Sequence, residues 1–77
     1  MSVYARIVAA TAQRVANTNA AAPSPCVSVC QMDEATGWCE GCLRTIDEIM
    51  DWGALDESAK RIIWRRLAQR ADVVIKG

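Results

Sequence analysis

The sequence predicts a small, metal-stabilised, mainly α-helical protein: a four-cysteine loop region followed by two short helices, with an N-terminal extension whose spacing allows a helix. Three observations carry this expectation. The chain has only 77 residues and no Phe, and much of its apolar content is alanine. A core of that size supplies no more than about 3–5 kcal/mol by itself, so a staple is expected. Four cysteines, Cys26, Cys30, Cys39 and Cys42, fall close together. Helix-like patterning then follows them from residue 45 onward.

Residues 3–16 form the first candidate element. Tyr4, Val8, Ala12 and Val15 recur at helical spacing with Ile7 beside them. The stripe is thin, and Asn17, Thr18 and Asn19 end it. Residues 20–25 read as a linker, because Pro23 and Pro25 push their neighbours toward extended backbone. A domain boundary is therefore expected near Ala22, with residues 1–22 as an N-terminal extension and residues 23–77 as the four-cysteine metal-binding domain. On this reading the extension is dispensable to the domain.

The cysteine spacing is Cys26-x3-Cys30-x8-Cys39-x2-Cys42. Two close pairs joined by a short loop can set four sulfurs around one centre. Thiolates bind zinc tetrahedrally, and four of them also hold iron–sulfur clusters. The chain contains no His, so a mixed Cys/His site is excluded. Gly37 and Gly41 allow the turns that such a site needs. Two disulfides, or a redox-active pair at Cys39 and Cys42, are the competing readings. The first requires an oxidising compartment, and the second belongs in a βαβ setting that this sequence does not offer.

Thr45 opens the first helix of the domain with a capping-box pattern to Glu48. Ile46, Ile49 and Met50 read as its inner face, with Trp52 folded over it and Gly53 as its stop. Asp56 is the expected cap of the next helix. There Ala59, Ile63, Leu67 and Val74 form one stripe, flanked by Trp64 and Ala71, with Arg61, Arg65 and Gln69 opposite. Trp64 reads either as a core residue or as the border of a partner surface beside Arg61 and Arg65.

These residues carry a family resemblance. Ser24-Pro25-Cys26-Val27 with Val29-Cys30, then Gly37, Cys39, Gly41-Cys42, Arg44-Thr45, Glu48-Ile49 and Trp52, resemble a group of small bacterial proteins of unknown function (the DUF 1289 group). Members are often labelled predicted iron–sulfur proteins. The resemblance spans about residues 23–70 and implies metal ligation at Cys26, Cys30, Cys39 and Cys42. It supplies no activity. Beside such a site, Arg44 can neutralise thiolate charge and Trp52 can exclude water.

Net charge is zero, but its distribution is uneven. Residues 26–57 carry eight acids against Arg44 alone, and residues 58–77 carry six bases against Asp72 alone. Helix electrostatics account for this pattern, with a basic recognition face as the alternative. No run of about 18 apolar residues occurs, so no membrane contact is expected. Arg6 interrupts the only stretch that resembles a secretory signal, so a cytoplasmic location is expected.

These readings define three functional expectations. The first is a non-catalytic, structural-zinc (Zn2+) module that meets an unidentified protein partner. The second is an iron–sulfur electron-transfer protein, with the cluster as the alternative cofactor. The third is nucleic-acid binding through the last helix, which the acidic cysteine region disfavours. No nucleophile–base pair is apparent, so an enzyme is not expected.

Overall fold

The computed structural model describes residues 3–25 and 31–76. Among them are three α-helices: α1 (Val3–Ala16), α2 (Ile46–Asp51) and α3 (Glu57–Lys76), with a 3-10 turn at Trp52–Ala54 after α2. The only β pairing among the described residues is an isolated antiparallel bridge between Met32 and Cys39. The mainly helical expectation holds.

Helix α1 buries Ala5, Val8, Ala12 and Val15, the three-and-four spacing that places side chains on one face. Ala5 takes the place expected for Tyr4, and Ile7 is exposed. Helix α3 buries Ile63, Trp64, Leu67 and Ala71. The two helices run antiparallel. Arg61 near the start of α3 bonds Val15 at the end of α1, while Val3 and Val74 border one groove at the other end. Leu43, from the cysteine loop, completes the core.

Helix α1 is therefore docked on α3 and supplies four of the nine core residues. The extension expected at residues 1–22 is thus helical over Val3–Ala16 and packed against α3. The stripe looked thin because it is built of alanines, but Ala5 and Ala12 meet a helix that offers Ala68 and Ala71. Small residues on both sides let the helices approach closely. The linker is tied down as well. Arg61 donates to the carbonyls of Val15, Thr18 and Ala20 at 2.7, 2.9 and 2.6 Å. Trp64 Nε1 donates to the Pro23 carbonyl at 2.9 Å, and Ala22 N donates to Glu57 at 2.7 Å. Glu57, Arg61 and Trp64 lie four and three residues apart, on one face of α3. Arg61 also sets a cation at the end of α1, where unpaired carbonyls and the helix dipole favour one.

The capping box of α2 is present: Thr45 N donates to Glu48 Oε1 at 2.8 Å, and Glu48 N to Thr45 Oγ1 at 3.2 Å. The inner face expected for α2 is kept only at the half-buried Ile49. None of its residues is buried, and Ile46 and Met50 are 52% and 74% exposed. Beside Ile49, Glu48 faces the protein. Nor does Gly53 take the left-handed stop expected of it; the chain tightens into the 3-10 turn instead. Asp56 caps α3, accepting from Ala59 N at 2.8 Å. Helix α3 is 20 residues long rather than short, because its apolar face has α1 to lie against along its length.

Candidate metal centre

Residues 31–44 fold into two consecutive tight turns. In the first, Asp33 N donates to the Trp38 carbonyl and Glu40 N to the Gln31 carbonyl, both at 2.8 Å. Asp33 Oδ1 accepts from Ala35 N at 2.9 Å, and Gly37 sits at φ +74°. A residue without Cβ takes that conformation at little cost.

The second turn carries the cysteines. Cys39 N donates to the Arg44 carbonyl at 2.7 Å and Leu43 N to the Cys39 carbonyl at 2.8 Å. The sulfur of Cys39 receives the backbone N–H groups of Cys42, Gly41 and Gln31, and interacts with the Cys42 thiol. Arg44 Nε donates to Cys42 Sγ at 3.2 Å. Cys39 and Cys42 are both buried thiols. Burial acts to raise the pKa of Cys39, but the N–H donors outweigh it and hold the group below its ordinary value. For Cys42 burial wins and raises the pKa, against the opposing pull of Arg44. Donors directed at sulfur favour the thiolate, the form that ligates metals.

Leu43 closes this turn at φ +65°. A non-glycine residue there costs about 1–3 kcal/mol and persists only where the surroundings hold it. The surroundings are the core itself: Leu43 is 4% exposed and packs with Ile63, Trp64 and Leu67. One residue thus bends the chain past Cys42 and anchors the turn to α3. This role is invisible in sequence, where the signal for such a backbone is a glycine.

Arg44 and Arg70 hold the turn. The guanidinium of Arg44, itself 4% exposed, lies 5.4 Å from the Trp52 ring, and Lys60 Nζ lies 5.5 Å from the same ring. Arg70 donates to the Leu43 carbonyl at 2.9 Å, grips both carboxylate oxygens of Glu48, and lies 5.4 Å from the Trp38 ring. Burial alone would raise the Glu48 pKa; Arg70 and the Thr45 cap lower it instead. The Arg70–Glu48 pair joins α3, α2 and the cysteine turn. It eluded sequence reasoning because the partners are 22 residues apart.

Of the four expected ligands, the structure brings Cys39 and Cys42 together, while Cys26 and Cys30 lie outside the described residues. Among the described residues, no three His, Cys, Asp or Glu side chains gather as a metal site. The residues that flank positions 26–30 are described. Pro25 is buried, and Gln31 pairs through its carbonyl with Glu40 and through its N–H with Cys39. Two buried sulfurs with directed donors suit a soft-ligand metal site by their chemistry.

Fold and site together define a small helical protein with a donor-lined cysteine turn pinned to its longest helix. Residues 24–71 match the family described as protein of unknown function (DUF1289), and the chain belongs to that family. The match includes all four cysteine positions and leaves α1 outside. Over 47 residues the chain is 40% identical to the uncharacterized protein YdhL of Escherichia coli (strain K12), and equally to those of Shigella flexneri and Escherichia coli O6:H1. The aligned region spans 61% of this chain and 58% of each relative. No solved structure matches.

Proposed function

We propose that Cys26, Cys30, Cys39 and Cys42 bind one zinc ion and that the chain is a non-catalytic interaction module organised by that metal. The observation that supports this reading most is the environment of Cys39. Its sulfur collects three backbone N–H groups inside a turn that Leu43 closes at a backbone cost. Four thiolates on a divalent ion leave about two negative charges, and Arg44 stands where it offsets them. Bound zinc would supply cross-linking free energy to a core built largely of small side chains.

Glu48 gives no support to a catalytic reading, since it is engaged by Arg70 and by the cap. Nucleic-acid binding has weaker support than the interaction reading. Arg61 is occupied by three carbonyls and Arg70 by Glu48, which takes two bases of α3 out of any recognition face. Among the described residues no helix is long and apolar enough to cross a membrane.

The iron–sulfur reading rests on the same donors, because hydrogen bonds to sulfur tune cluster potentials. Metal analysis with a visible spectrum, on full-length protein purified without oxygen, decides between the two. One equivalent of zinc and no visible band supports the module. Iron with charge-transfer bands moves the reading to an electron carrier. Protein that retains neither metal overturns the centre.

A further inference from the structure

Helix α2 turns two of its three apolar side chains, Ile46 and Met50, outward. Its polar residue Glu48 faces the protein, held by Arg70 at 2.6 Å and by Arg66 at 3.5 Å. Ile46 and Met50 stand two residues to either side of Glu48. At about 100° per residue, both lie on the side opposite to it. They are 52% and 74% exposed. The capping box and the Arg70 clamp fix this orientation, so the helix cannot rotate the pair inward without breaking both.

The exposed charges that α2 itself carries, Asp47 and Asp51, have one sign, while Arg66 of α3 stands at its inner edge beside Glu48. Every exposed charged residue between positions 31 and 57 is an acid: Glu34, Glu40, Asp47, Asp51, Asp56 and Glu57. The one base in that stretch, Arg44, is buried. At about 100° per residue, Asp47 and Asp51 lie together along one side of the Ile46–Met50 pair. A second copy presenting the same face would set these carboxylates against each other, so a symmetric self-contact is disfavoured. An anionic lipid surface is disfavoured for the same reason.

We infer that the outer face of α2, Ile46 and Met50 bordered along one side by Asp47 and Asp51, is the docking surface for a basic amphipathic segment of another protein. That segment presents an apolar side-chain pair with Lys or Arg along one side. Met50 suits such a contact, because its unbranched, polarizable side chain adapts to a partner. The inference rests on the interaction-module reading and names the surface and the partner chemistry for it.

The test uses the full chain as purified and two synthetic helical peptides of about 15 residues, a length at which isolated helices become viable. Both carry one leucine stripe; one has Lys along one side of it and the other has Glu. The Lys peptide is expected to shift the amide resonances of residues 46–51, and to bind several-fold more weakly as salt rises from low to physiological ionic strength. Ile46→Gln with Met50→Gln should weaken it about tenfold, while leaving the fold intact because both side chains are exposed. Asp47→Asn with Asp51→Asn should flatten the salt dependence.

Equal binding of the Glu peptide, or unchanged affinity in the Ile46/Met50 variant, overturns the proposal. So does a dimer in sedimentation that the same variant abolishes, or uptake of the chain by phosphatidylglycerol vesicles. Metal content is measured in each sample. A chain that holds its metal but ignores the Lys peptide overturns the surface alone; one that lacks metal yet binds it overturns the metal reading alone.

Discussion

Arg44 donates from Nε to the sulfur of Cys42 at 3.2 Å while its guanidinium plane rests 5.4 Å from the ring of Trp52. A buried cation is costly unless it is paired and hydrogen-bonded, and these two contacts explain why Arg44 is tolerated at 4% exposure. The same arrangement orients the donor on the sulfur. Cys42, Arg44 and Trp52 therefore act as one unit, in which the aromatic ring holds the cation and the cation holds the thiol.

Arg44→Lys keeps the charge but loses the planar Nε donor and the stacking face. Hydrogen bonds to charged groups contribute about 1.5–3 kcal/mol, and urea unfolding should show a loss of that order. An unchanged midpoint would mean that Arg44 acts through charge alone.

Leu67→Ala tests the α1–α3 core at its centre, since Leu67 is fully buried between the helices. The expected loss is about 2–5 kcal/mol, the range for emptying such a site. Deleting residues 1–22 should do more. It uncovers Leu67, Ala71 and Trp64 together, and cooperative thermal unfolding should disappear. A truncated chain that melts like the full one would show that α1 contributes nothing to stability.

Trp64 is a core residue at 2% exposure, so its emission should be blue-shifted and protected from quenchers. Trp64→Ala should cost about 3–5 kcal/mol. Trp64→Phe should cost much less, because the Pro23 carbonyl it abandons belongs to an exposed residue and can take water. Equal losses in the two variants would assign the effect to the hydrogen bond instead of the ring.

Glu48 gives the protein a pH dependence of known sign. Its pKa in the folded chain lies below the ordinary value of 4.5, since Arg70 and the Thr45 cap outweigh its burial. Its contribution is therefore complete above pH 4.5 and fades as pH falls through the lower, folded-state value. Glu48→Gln should be less stable than the parent at neutral pH. The gap between the two should close on acidification in denaturant titrations. A gap that stays constant with pH would show that the carboxylate charge is not what Arg70 recognises.

The sequence by itself determined the local features. The Thr45–Glu48 capping box, the Asp56 cap and the turn at Gly37 each depend on residues within a few positions of one another, and such pairs leave their signature in spacing. The pairing of Cys39 with Cys42 was legible for the same reason. Tertiary structure alone decided what rests on distant partners. It docked α1, because alanine stripes acquire value only against another alanine-bearing face. It turned Trp64 inward onto Pro23, 41 residues away. It turned Ile46 and Met50 of α2 outward, because a carboxylate clamped by Arg70 outcompetes these two apolar side chains for the inner position, and no periodicity in a six-residue helix records that competition. And it placed Leu43 in a left-handed backbone, a strain that its burial beside α3 compensates.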